Sequence, residues 1–273
     1  MKLILVLFFI LNASADDTSP SQMKIVHFPS GNLTLGGELY KPKGDGPFPA
    51  VLYNHGSAEK FLSDTASKVI GPLYAAHGWV FFMPYRRGQG LSMAAGPYIL
   101  DQIQASMDQG GQKAANETMI RLLTTDHLND QLAGLAWLKN QKFVQANRIA
   151  VDGQSFGGIE TVLGAEKYPF CAAIDAAGGS MSWKEAPELH TVMVEAARNS
   201  KSPAFFFQAE NDFDTTPTKL LSSEMKSAGK TADFKIYPPF GDPKSNFDGH
   251  SFAWLGSATW FPDVYTFLQE HCP

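Results

Sequence analysis

The chain has 273 residues, 44% hydrophobic and 18% charged, which is enough apolar material for one sizeable α/β domain with its own core. A formal net charge of −5, with no basic stripe, argues against a nucleic-acid partner. No run of like charges marks a solvating tail.

Met1-Lys2, the apolar run 3–11 and Ala13-Ser14-Ala15 together form an export leader, with cleavage after Ala15 and a mature chain from Asp16. The expected location is therefore secreted or periplasmic. The leader's apolar part is too short to span a bilayer, and no later segment is long and apolar enough to do so. After a polar linker, 24–28 and 33–40 alternate as two antiparallel strands around Pro29-Ser30-Gly31-Asn32. Residues 50–54 form a buried strand, 63–77 a helix ended by Gly78, and 79–83 a second buried strand that runs out into Arg86-Arg87-Gly88-Gln89-Gly90. Residues 93–125 are polar, rich in Met and Gln, with Gly110-Gly111 in their middle; they read as a lid-like excursion over the end of the sheet. Residues 126–140 show helical spacing through Leu128, Leu132, Leu135 and Leu138. Strand 148–151 and helix 159–165 follow, then strand 171–177 and an irregular helical stretch, 181–199. Last come a Phe-rich strand 203–209, helix 217–228 with Pro at its first position, strand 234–237 and a closing helix 254–270. This alternation predicts right-handed crossovers and a mostly parallel sheet with helices on both faces, all in one domain with an insertion.

Between strand 148–151 and helix 159–165 sits Gly153-Gln154-Ser155-Phe156-Gly157, a G-x-S-x-G turn. Such a corner pushes the serine hydroxyl out of the sheet, and the helix behind it aims free N–H groups at whatever the serine attacks. A serine needs a base, usually a histidine oriented by a carboxylate, and both must lie beyond the carboxyl ends of the strands. Of seven histidines, His250 lies between the last strand and the last helix, at that edge and after the serine. His27, His77, His127, His190 and His271 fall in strands, helices or the terminus and read as structural. The acid follows strand 203–209 in Glu210-Asn211-Asp212-Phe213-Asp214. Asp212 fits its place best, with Asp214 and Asp175 as alternatives, while Asp248 is too near His250 in sequence. The N–H of Phe156 supplies one oxyanion donor, and Asn54-His55-Gly56-Ser57 supplies the other from Ser57. His55 then reads as loop architecture, and Arg86-Arg87 as holding loops through backbone carbonyls rather than forming an anion pocket. No dinucleotide fingerprint, P-loop or H-E-x-x-H is present, so neither a metal nor an organic cofactor is implied.

Asn54-His55-Gly56-Ser57, Tyr85-Arg86-Arg87-Gly88-Gln89-Gly90-Leu91-Ser92, Gly153-Gln154-Ser155-Phe156-Gly157-Gly158, Glu210-Asn211-Asp212 and Gly249-His250-Ser251-Phe252 resemble, in order and spacing, an α/β-hydrolase of the dienelactone-hydrolase-like group. That group overlaps in style with serine peptidases of the prolyl-oligopeptidase type. The resemblance covers nearly all of the mature chain. It implies the α/β-hydrolase fold, an eight-stranded sheet and a Ser155, Asp212, His250 triad. True dienelactone hydrolases carry cysteine at the elbow where this chain has Ser155, which turns the expectation to carboxylesterase-like cleavage of a small-molecule ester or acyl substrate. Short-peptide or amide hydrolysis, and a pocket used only for binding, are the alternatives. The substrate pockets fall to loops 93–125 and 181–200, through Met93, Tyr98, Met107, Met181 and Trp183. Oligomeric state has no signal in the sequence.

Every strand of a parallel sheet starts at the edge opposite such a site, which places Cys171 there. The closing helix runs back to the same edge and brings Cys272 with it. A bond between the two, and a buried free Cys171 with a frayed terminus, both fit the sequence.

Overall fold

In the computed structural model, residues 22–57 and 65–273 are described; the leader and its cleavage site lie outside the described residues. β1 (Lys24–Ser30) and β2 (Leu33–Tyr40) pair antiparallel around a turn in which Gly31 takes φ 59°. β3 (Phe48–Asn54), β4 (Val80–Pro84), β5 (Val144–Gln154), β6 (Ala173–Ala176) and β7 (Ala204–Ala209) are apolar runs buried on both faces over most of their length. β8 (Ala232–Tyr237) closes the far edge with charged residues facing outward. The eight strands lie in the order β1-β2-β4-β3-β5-β6-β7-β8, and β2 alone runs against its neighbours.

Successive strand residues point to opposite faces. Ala50 and Leu52 of β3 thus join one core with α3 (Leu128–Lys139), α4 (Phe156–Lys167), α5 (Pro187–Arg198) and α6 (Thr216–Ser227). Val51 and Tyr53 join the other with α1 (Thr65–Ala76) and α8 (Ser257–His271). Each fully buried Phe, Leu or Val contributes roughly 1.5–3 kcal/mol, so the two layers clamp the sheet whose carboxyl edge carries the site.

Two segments differ from expectation. The stretch 93–125 is helical: a 3₁₀ turn at Gly90–Ala95, then α2 (Ile99–Leu122), then a π-turn at Leu123–His127 that leads directly into α3. Gly111, at φ 69°, breaks α2 in two. The hydroxyls of Ser106 and Thr118 hydrogen-bond at 2.8 Å, whereas a straight helix would hold residues twelve apart about 18 Å from each other. The chain therefore doubles back as a helical hairpin. Its apolar face is only a thin stripe (Ile99, Ala115, Met119 and Leu122 are buried), too sparse to show as a periodicity. The second difference is at the C-terminal end, where the closing helix is two. α7 (Asn246–Leu255) and α8 are separated at Gly256, and His250 stands on α7 rather than in a loop.

Cys171 and Cys272 form a disulfide with a sequence separation of 101. Arg148 reinforces the same junction by donating to the carbonyl of Cys272 through both Nη2 (2.8 Å) and Nε (3.2 Å). Closing so long a loop constrains the unfolded chain by up to about 4–5 kcal/mol in the chain-entropy model. Cys272→Ser should accordingly lower the denaturant midpoint and leave the rate of any site chemistry unchanged, because the junction lies at the opposite edge of the sheet. Thiol titration of the wild-type chain in denaturant without reductant should find no free thiol.

Candidate active site

β5 delivers the chain to Ser155, which sits at φ 55° and ψ −120°, a conformation that residues with a side chain seldom hold. Hydrogen bonds on either side impose it. The Ser155 N–H donates to the Ala176 carbonyl at 3.0 Å, and the Ser155 carbonyl accepts from the Ile159 N–H at 3.1 Å. A Cβ at position 157 would collide with the carbonyl oxygen of Asn54, so only glycine lets α4 start against the end of β3. The elbow is half-buried at its tip, with the Phe156 N–H among the first-turn donors that α4 cannot satisfy itself.

Two strands along, the loop that follows β7 carries Asp212. The Nδ1 of His250 lies 2.9 Å from Asp212 Oδ1 and 3.1 Å from Oδ2. Oδ1 also accepts from the Ser180 hydroxyl and from the Phe213 N–H, each at 2.6 Å. The Ser180 oxygen in turn accepts from the Asp214 N–H at 3.1 Å. Two hydrogen bonds through Ser180 thus pin the acid loop to the loop after β6. Asn211 does the same for the base: its amide nitrogen reaches the carbonyls of Phe240, Asp242 and Ser245 at 3.0 Å, and its oxygen accepts from the Phe240 N–H at 2.9 Å. At Gly249 a Cβ would run into the Asn211 carbonyl, so α7 can press His250 against Asp212 only through a glycine there.

The alternative acids are committed elsewhere. Asp214 Oδ1 accepts from the Thr216 N–H at 2.8 Å and starts α6. Asp248 Oδ2 accepts from the Asp242 N–H at 2.8 Å. Asp175 is buried, accepts from the Gly178 N–H at 2.8 Å, and is pushed up to about 7 by burial. It helps hold the loop that carries Ser180. Among the described residues, His250 is the histidine that meets a carboxylate.

At the exit of β3, the backbone of Gly56 packs beside the elbow: a Cβ there would stand 3.5 Å from Ser155 Cβ. His55 has both ring nitrogens engaged, Nδ1 with the Gly56 carbonyl at 2.7 Å and Nε2 with the Arg86 N–H at 3.3 Å. Burial first, and the Arg86 charge second, hold its pKa well below the usual histidine range, so the ring is a neutral strut. Arg86 is buried, and Nη2 donates to the carbonyls of His55 (2.8 Å) and Gly56 (2.6 Å). Burial lowers its pKa to about 10, which still leaves it charged at neutral pH. In a trans peptide the N–H points opposite to the C=O. Drawing the Gly56 carbonyl toward Arg86 therefore turns the Ser57 N–H away from it. Arg86 thus holds a loop through carbonyls as expected. Arg87 instead pairs with carboxylates, Asp130 at 2.8 Å and Asp126 at 3.0 Å.

The structure brings Asp212 and His250 into contact and sets Ser155 against Gly56; among the described residues no hydrogen bond joins the Ser155 hydroxyl to the His250 ring. Of the apolar residues expected to line the pocket, Met93 and Met181 are exposed, and Tyr98 and Met107 are half-buried. Trp183 is not available: it is buried and stacked on His190, ring centroids 3.9 Å apart. The roles of Ser180 and Asn211 carry no spacing signal, since each acts through partners far away in sequence. Among the described residues, no group of three His, Cys, Asp or Glu side chains is placed to hold a metal ion.

Solved structures share this architecture at low identity. An acylaminoacyl peptidase from Pyrococcus horikoshii is 17% identical, with a TM-score of 0.63 over 93% of this chain and 42% of its own. A Klebsiella pneumoniae protein assigned as a dienelactone hydrolase is 18% identical, with a TM-score of 0.56 over 88% of this chain and 99% of its own. The esterase Est22 is 14% identical, with a TM-score of 0.65 over 92% of this chain and 81% of its own. The chain thus spans about two fifths of the length of the peptidase it matches and nearly the whole of the smaller hydrolase. The dienelactone hydrolase family matches residues 35–254, a span that holds the elbow, Asp212 and His250, and the chain belongs to that family, with its α/β-hydrolase fold.

Proposed function

We propose that the protein is an exported serine esterase that cleaves small-molecule carboxylic esters through an acyl-enzyme on Ser155. The observation that carries this reading is the Asp212–His250 pair, hydrogen-bonded at 2.9 Å, at the same sheet edge as a serine held at φ 55°. With its Nδ1 proton on Asp212, His250 presents a bare Nε2. It takes the Ser155 proton as Oγ bonds to the ester carbon, and the carbonyl oxygen becomes an oxyanion. The N–H groups of Phe156 and Ser57 receive that charge. Collapse breaks the bond to the alkoxy oxygen, which leaves with the proton from His250. Water then gives a proton to His250, attacks the acyl carbon, and releases the acid and a reprotonated Ser155. The Ser155–His250 hydrogen bond is made as substrate enters, since such contacts are often long in free enzymes and need only a rotamer change of the serine.

Arg86 acts here as a positioning residue. Removing one oxyanion donor typically costs about 10²–10³ in kcat. Arg86→Lys, which replaces a planar fork by a single ammonium, should lower kcat by roughly 10–100-fold with KM within about twofold. A change confined to KM would exclude the role. The hairpin of α2 is proposed to roof the acyl side, because Asn116 donates to the carbonyl of Glu185, in the loop after β6, at 2.6 Å. Arg86 is buried and Arg87 is paired with Asp130, which favours an uncharged substrate over one recognised by a carboxylate. A panel of p-nitrophenyl esters of rising acyl length, run beside p-nitroanilides, tests the assignment. Turnover of esters far above anilides is expected. Anilides hydrolysed as fast as esters would move the reading to amides, and inertness toward every ester would contradict it.

A further inference from the structure

α7 does more than carry His250. Residues 247, 250, 251 and 254 fall on one stripe of a helix, so Phe247 stands one turn before the imidazole and Trp254 one turn after it. A third ring arrives from the acid loop. Phe213 meets His250 edge-to-face with centroids 5.6 Å apart, and meets Phe247 edge-to-face at 4.9 Å. Trp254 lies at 6.4 Å from the histidine, nearly perpendicular to it. The imidazole is thus flanked by aromatic rings that are not fully buried: Trp254 packs in part against the core, Phe213 is half-buried, and Phe247 is 69% exposed. Leaving so large a ring in water forgoes about 1.5–3 kcal/mol of burial. Against this, the edge-to-face contact with Phe213 fixes its orientation, as a preformed binding face requires.

We propose that Phe213, Phe247 and Trp254 form the subsite for the alcohol portion of the ester, and that it takes an uncharged aromatic or bulky apolar alcohol. The inference rests on the esterase reading, in which His250 hands its proton to the leaving oxygen. That transfer puts the oxygen within about 3 Å of the ring nitrogen. The carbons attached to it then fall among the rings that surround His250, while the acyl chain points away toward the oxyanion side. The loops that hold these rings, 210–215 and 238–256, contain Glu210, Asp212, Asp214, Asp242 and Asp248 against Lys244 alone, which disfavours an anionic leaving group.

The test compares benzyl acetate with ethyl acetate, whose alcohols are similar in acidity and whose acetyl-enzyme is the same, so that kcat/KM isolates the alcohol side. The wild-type protein should favour the benzyl ester by about tenfold or more, within the range that hydrophobic pockets discriminate. Phe247→Ala should reduce that ratio by about tenfold and Phe247→Leu by less. Phe247 is largely exposed, and equal labelling of Ser155 by a fluorophosphonate would show both variants to be folded. A ratio within twofold of wild type in Phe247→Ala, or a preference for the acetate of 4-(hydroxymethyl)benzoate over benzyl acetate, would overturn the subsite while leaving the esterase standing. Failure to hydrolyse either acetate, or hydrolysis that persists in Ser155→Ala, would overturn both.

Discussion

Ser155→Ala is expected to remove ester turnover by roughly 10⁴–10⁶-fold and to leave the fold intact. The side chain is small and half-buried, and the backbone bonds to the Ala176 carbonyl and from the Ile159 N–H do not involve the hydroxyl. Alanine inherits the strain of φ 55°. Ser155→Gly, equally inactive but free in the left-handed region, should unfold later than the alanine variant by about 1 kcal/mol. His250→Ala should match the serine variant in rate loss, and the double variant should lose little more, since nucleophile and base act as one unit. Retention of more than about a hundredth of wild-type turnover by Ser155→Ala would remove the serine from the chemistry.

Asp212→Asn should cost up to about 10⁴ in kcat. Its Oδ1 gathers three donors, from Ser180, Phe213 and His250. An amide can offer one oxygen to them but turns its NH₂ toward whatever Oδ2 now faces, and it carries no charge to stabilise the imidazolium. The tautomer with the proton on Nδ1 is then no longer enforced. Asp214→Asn keeps an oxygen for the Thr216 N–H and should leave kcat within about twofold, as surface substitutions outside a network usually do. Comparing the two variants in steady-state assays checks the assignment of the acid; a large loss at 214 with little at 212 would reverse it.

How much of this was legible in the sequence follows from the range of each interaction. The elbow shows because strand, turn and helix are contiguous, and Gly157 is demanded by a backbone contact with Asn54. The parallel sheet shows because its strands are unbroken apolar runs, so the carboxyl edge and the order Ser155, Asp212, His250 could be placed. Helix α7 did not show, since its early residues, Asn246 to His250, are polar or glycine apart from Phe247, and its start is fixed by a cap from Ser245 to the Asp248 N–H. The α2 hairpin was hidden by its thin apolar stripe. Trp183 looked like pocket lining, but His190, seven residues on, covers it. Ser180 and Asn211 work across 32 and 29 to 34 residues of sequence, distances over which spacing carries no information. The disulfide lay between: topology brought both cysteines to one edge, and the observed pairing decided between a bond and two free thiols.

Whether Ser155 is a nucleophile activated by His250 is decided by intact-mass spectrometry after exposure to a fluorophosphonate. The reagent needs an activated serine but no knowledge of the substrate. One adduct per chain is expected, mapped by peptide digestion to Ser155, absent in Ser155→Ala and formed at least about a hundredfold more slowly in His250→Ala. A folded wild-type chain that gains no adduct, or gains it at any other residue, would exclude Ser155 as the nucleophile.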